Sequence, residues 1–229
     1  MTEVTSDVRV IIAVAGKDWR GELRSRQLLI GAAFFGAVTL FVFGFALGPD
    51  RAALAQAAPG LLWLALILAG MLVVSRLQQL ETDDGAGEQL ALYPASRGAI
   101  YLGKVTAALP FLLLLGAVLL PATAVLYSVV IGPALPALVA TIVLGSFGFA
   151  AVGTFYAGLT ARMRAREILL PLLLLPVIAP LLLAAVRATV AALAGDPFSE
   201  VASWLGLLAA FDLVMVAVGA ATYGTVLEE

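Results

Sequence analysis

Polar and apolar residues are segregated along this chain. Six long stretches are almost wholly apolar, at residues 28–47, 59–75, 100–131, 134–161, 168–186 and 204–226, and nearly all charges fall before or between them. A hydrocarbon core about 30 Å thick needs about 20 apolar residues in helical form. Lipid supplies no hydrogen-bond partners, so a spanning segment is a helix or a strand of a closed barrel. Runs such as LLPLLLLPVIAPLLLAAV are apolar on every side. Barrel strands would alternate over about ten residues, so helices are predicted. The pattern predicts an all-α membrane protein: six transmembrane helices forming one membrane domain over residues 1–229.

Ahead of the first stretch, Val8, Ile12, Ala15, Trp19 and Leu23 recur at spacings of three and four, with Lys17, Arg20 and Arg24 on another face. Residues 6–26 therefore predict an amphipathic helix lying in the cytoplasmic membrane interface, with Trp19 at headgroup level. Docking of this helix on another subunit is the alternative.

Charge then orients the chain. Lys and Arg are placed in three groups: Arg9, Lys17, Arg20, Arg24 and Arg26 before the first span; Arg76, Arg97 and Lys104 after the second; Arg162, Arg164 and Arg166 after the fourth. The opposite loops hold only Arg51 and Arg187. The positive-inside rule puts both termini and both basic loops in the cytoplasm, in agreement with an even number of spans. Composition agrees with a lipid solvent: 62% hydrophobic residues, 12% charged, mean hydropathy +1.08. The first apolar run is too long and starts too late for a signal peptide.

Within the spans, Gly31, Gly36, Gly44 and Gly48 mark the first helix, and Ser146, Ala150, Thr154 and Gly158 recur every four residues in the fourth. Such spacing lets backbones approach closely, either inside one bundle or across a dimer seam. The third helix holds Pro110 and Pro121; the fifth holds Pro171, Pro176 and Pro180. Each proline removes a helical hydrogen bond, so these spans are expected to be kinked or distorted. Residues 187–203 read as too polar to span and predict a short re-entrant or surface hairpin.

Candidate chemistry is sparse. There is no His and no Cys, which excludes thiolate and imidazole metal sites, disulfides and lipidated cysteines. Gly98, Gly103 and Lys104 match the opening of a phosphate-binding loop, but Val105 stands where a magnesium-binding hydroxyl belongs, and no strand precedes it. Ser96 reads better as the N-cap of the third helix, with Lys104 at the inner edge of the bilayer. Between the second and third spans lies a polar stretch, 76–104. Its acidic cluster of Glu81, Asp83, Asp84 and Glu88 lacks calcium-loop spacing. It reads as a solvated loop or as a docking element. In the second case Gly85 and Gly87 break the chain, and 88–93 form a short helix ended by Pro94, with Leu90 and Leu92 offered to a partner groove. Asp212 is the one acidic residue well inside a span; it predicts a hydrogen bond to a Ser, Thr or Tyr of a neighbouring helix, a proton relay being the alternative.

The run ETDDGAGEQLALYP, with Lys104 ten residues after Pro94, resembles the cytochrome c maturation B family. So do Ala58, Pro59, Gly60 and Trp63 at the second helix and the proline-rich 169–185 of the fifth. The resemblance covers essentially the whole chain. It implies an ABC-2-type permease, without catalytic, metal or cofactor-binding residues of its own, in the bacterial inner membrane. A cytoplasmic ATPase would hold the ATP and bind the loop after helix 2, through Glu81, Asp84, Gly85, Glu88, Gln89, Leu90, Leu92 and Pro94. The resemblance also implies a homodimer in contact with membrane lipid and not with nucleic acid. Beside it would sit a haem-handling membrane subunit, a small accessory membrane subunit and a periplasmic haem chaperone whose release ATP hydrolysis drives. A related permease exporting a lipid-linked glycan or a drug is the second reading.

Overall fold

The computed structural model describes residues 10–13, 15, 16, 19, 27–83, 96–161, 163, 165–196 and 198–228, with residues 80–83 and 224–228 as backbone alone. Six long helices follow one another: α1 (Gln27–Leu47), α2 (Arg51–Asp83), α3 (Arg97–Leu126), α4 (Leu135–Thr160), α5 (Arg166–Ala194) and α6 (Phe198–Glu228). All six are long and apolar enough to cross a bilayer. Among the described residues there is no strand. The expected fold class and number of spans therefore hold.

Helix α4 is the hub, packing against α2, α3, α5 and α6. Helix α1 packs mainly on α2 and α3, through Ala32, Gly36 and Leu40, one turn apart on a single face. Its other faces present Ile30, Phe34, Phe41 and Phe45 outward, as a lipid-facing helix requires. The contrast is quantitative: 67% of the apolar window of α2 is buried, against 17% for α1 and for α6.

The small residues of α4 serve the bundle interior. Ser146, Ala150 and Thr154 are buried, and Gly158 lies against Tyr223 of α6. On α1, Gly36 meets Leu119 and Ala69, whereas Gly31 faces open space.

Several boundaries differ from expectation. Helix α2 starts at Arg51, not near Pro59, because Asp50 caps it: Oδ1 accepts from the Ala52 and Ala53 amides at 2.9 and 3.4 Å. The alanine-rich turns that follow favour helix, and Pro59 sits within it. Helix α3 stops at Leu126, not 131, where Ser128 takes φ 55° and turns the chain.

The hairpin expected at 187–203 is absent. Helix α5 runs unbroken through its three prolines to Ala194, burying Ala188, Thr189, Ala191 and Ala192. Gly195, at φ 74°, then closes it by donating to the Ala191 and Ala192 carbonyls. The polar character that suggested a hairpin belongs to a tight turn and the first turn of α6. The loop read at 76–104 is also shorter, since Arg76–Asp83 continue α2 and Arg97–Lys104 open α3.

Buried polar side chains tie the helices together. Trp63 Nε1 donates to Thr189 Oγ1 at 3.0 Å, joining α2 to α5. The Tyr101 hydroxyl donates to the Ala151 carbonyl at 3.0 Å, joining α3 to α4. The Tyr127 hydroxyl donates to the Leu40 carbonyl at 2.7 Å, the polar pin of the sparsely packed α1. Removing that hydroxyl in Tyr127→Phe is expected to loosen α1 by about 1 kcal/mol. Hydrogen–deuterium exchange should show faster exchange confined to the second half of α1; unchanged exchange there would remove the pin from this account.

Candidate functional site

The C-terminal ends of α2, α4 and α6 and the N-terminal ends of α3 and α5 meet at one end of the bundle. Among the described residues this end carries Arg76, Arg97, Lys104 and Arg166, while Arg51 and Arg187 lie toward the other. Ser96 caps α3, its hydroxyl accepting from the Ala99 amide at 3.3 Å, as expected. Gly98–Lys104 form the first turns of that helix. They are not the open loop that cradles a phosphate.

Lys104 is 7% exposed. Its ammonium donates to Gln78 Oε1 of α2 at 3.2 Å and lies 5.7 Å from the centre of the Tyr223 ring of α6. That ring is 5.3 Å from the ring of Tyr101. One lysine thus links α2, α3 and α6 through a hydrogen bond and a cation–π contact. Beside it, Ser75, Gln78, Gln79, Thr160 and Arg166 line a shallow niche between α2, α4 and α5. This end is polar and convergent.

That connection holds most of the residues expected to couple to an ATPase. Glu81 lies on the last turns of α2, so it belongs to a helix and not to a loop. Asp84, Gly85, Glu88, Gln89, Leu90, Leu92 and Pro94 lie outside the described residues. Both ends of the connection emerge at the basic end of the bundle.

Among the described residues before α1, Val10 and Trp19 contact this chain's own bundle. Residues 10–13, 15, 16 and 19 are helical. Val10 packs against the main core, and the Trp19 ring lies 6.2 Å from that of Phe111. Phe111 is seven residues beyond Lys104 along α3, about 10 Å at 1.5 Å per residue.

Asp212 does not make the expected hydrogen bond. It is 3% exposed, and neither carboxyl oxygen has a hydrogen-bond partner. The cause is its opposite number on α4, Gly148, where a Cβ would overlap Asp212 Oδ1 and Leu181 Cδ1. The carboxyl therefore rests on helix backbone whose amides and carbonyls are already paired. Sequence reading missed the Trp63–Thr189 and Tyr101–Tyr223 contacts. Their signal was available: aromatic residues with a polar atom, inside spans, facing helices rich in glycine.

Six such helices, apolar on their outer faces and polar at one shared end, define a multi-pass α-helical membrane protein. Residues 9–228 match the family model described as CcmB protein, and the chain belongs to the CcmB family. The chain is similar to heme exporter protein B of Pseudomonas aeruginosa, 32% identical over 195 residues that cover 84% of this chain and 85% of that one. Heme exporter protein B of Bradyrhizobium diazoefficiens is 31% identical over 218 residues, 94% of this chain and 91% of that protein. The Rhodobacter capsulatus protein of the same name is 37% identical over 164 residues, 67% and 70% respectively.

Proposed function

We propose that this chain is the membrane permease subunit of an ABC-type haem-export complex serving cytochrome c maturation. The observation that carries this reading is the family match across nearly the whole chain, together with relatives named for haem export. In this reading the basic end of the bundle faces the cytoplasm of a cell with an inner membrane, and both termini lie there. A separate ATPase binds ATP and docks on residues 81–94. The Lys104–Gln78–Tyr223 junction passes its motion to α2, α3 and α6. Two copies of the permease and a haem-handling subunit, with a small accessory subunit, complete the complex. ATP turnover then drives release of the loaded haem chaperone on the far side. Purification of the native complex in mild detergent tests this. An ATPase and a haem-handling subunit in fixed ratio are expected; glycan- or lipid-processing partners in their place would overturn the haem assignment.

The same reading assigns no haem ligand to this chain. Without His or Cys, axial ligation falls to Met or Tyr. Met71 is buried in the core, Met163 is exposed between α4 and α5, and Met215 is half-buried on α6. Titrating haem into the isolated permease is expected to give only diffuse, non-saturating absorbance changes. A saturable Soret shift at equimolar haem, lost on changing a single Met or Tyr, would show that this chain ligates haem itself.

A further inference from the structure

Asp212 is a buried acid that the proposed activity does not use. It lies near the midpoint of α6, and the two residues against it, Gly148 of α4 and Leu181 of α5, lie near the midpoints of their own helices. The carboxyl is thus at mid-depth of the bundle, with both oxygens unpartnered. No cation among the described residues is placed to neutralise it. Helix α4 carries no charged residue. The charges of α5 are Arg166 and Glu167 in its first turn and Arg187 on an exposed face near its other end. Those of α3 are Arg97 and Lys104, in its first turns. On α6 itself, Glu200 is in the first turn. Tyr223 is eleven residues away, about 16 Å along the helix axis.

An ionised carboxylate in such a place keeps a desolvation cost that nothing offsets. The neutral acid carries no such charge and costs far less to bury. The glycine at 148 is what lets α4 and α6 close around the group, and Leu181 seals it from the α5 side.

We propose that Asp212 is a proton-binding site in the membrane interior, and that the bound proton holds α6 closed against α4 and α5. On release the O–H bond breaks, its electron pair stays on the carboxylate, and the proton passes to a water molecule. The resulting anion needs hydration, so α6 must part from Gly148 and Leu181 to admit that water. Closure reverses each step. The site makes the contact between these three helices sensitive to proton activity, whatever the cargo of the permease.

Two measurements test this on the full-length chain in lipid nanodiscs. Infrared difference spectra should contain the carbonyl stretch of a protonated carboxyl, shifted by deuterium exchange and absent in Asp212→Asn. Lack of that band at every pH at which the protein stays folded would overturn the proposal. The chain has no Cys, so Leu181→Cys gives one thiol in the seal. Its labelling by a water-soluble thiol reagent, relative to the same cysteine in an Asp212→Asn background, is expected to rise with pH by up to about tenfold per unit, as one proton dictates. Asn keeps the shape and cannot ionise, so a misfolded variant is not confused with a negative result. Equal labelling in the two backgrounds across the pH range would also overturn the proposal.

Discussion

Gly145→Leu is expected to destabilise the bundle by about 3 kcal/mol, the upper range for overpacking a core. Position 145 on α4 has no room for a side chain: even a Cβ would overlap the six-membered ring of Trp63. That ring cannot swing away freely. It is fully buried, and its Nε1 is held by Thr189 of α5. A leucine at 145 either drives α4 from α2 or breaks the indole bond and strands the buried Trp63 Nε1–H, while the Thr189 hydroxyl keeps its own bond to the Ala185 carbonyl at 2.8 Å. Thermal unfolding in detergent measures the loss. The companion Trp63→Leu should be costly alone, yet should recover part of the stability when combined with Gly145→Leu, because it vacates the contested volume. Strict additivity of the two changes would mean that the contact is not what position 145 protects.

The second large effect concerns the partner. In the proposed complex, changing Leu90 and Leu92 to Asp is expected to release the ATPase while leaving the permease inserted and folded. Buried apolar anchors at interfaces cost about 2 kcal/mol or more each when lost, which is roughly thirtyfold in dissociation constant per residue. Charge at both positions removes the two leucines of residues 88–93. The measurement is copurification of ATPase with tagged permease, with an unfolding curve of the permease as control. Retention of the ATPase at wild-type ratio by a normally folded double variant would move the docking surface away from this segment.

The spans were legible because lipid imposes a coarse rule: about 20 apolar residues, one helix. Ends were less so. The start of α2 depends on whether Asp50 caps it, and the end of α5 on whether Gly195 adopts the left-handed conformation. Those are local backbone choices that hydropathy does not register. Ser96 was readable as a cap because a polar residue followed by a long apolar run leaves few other roles for it. Asp212 was readable as exceptional, but its surroundings were not. The expected hydrogen bond assumed a polar neighbour, and a glycine occupies the facing position. Lys104 was placed near the membrane edge, whereas its burial against Gln78 and Tyr223 requires three helices to converge.

The central position of α4 has a consequence for how the protein is made. The contacts of α1 are mainly with α2 and α3, the next two helices to leave the ribosome, so its packing can be completed early. Helix α4 cannot finish early, because the faces carrying Gly148 and Gly158 are completed by Asp212 and Tyr223 of α6, the last of the six. Until then that side is a groove of small residues not yet covered by α6, and Asp212 arrives in the membrane after α4 and α5, the helices that bury it. An arrested or truncated chain would expose the groove, and a late-inserted α6 would bear an uncovered acid. Biosynthetic surveillance could read either as a mark of an unfinished permease.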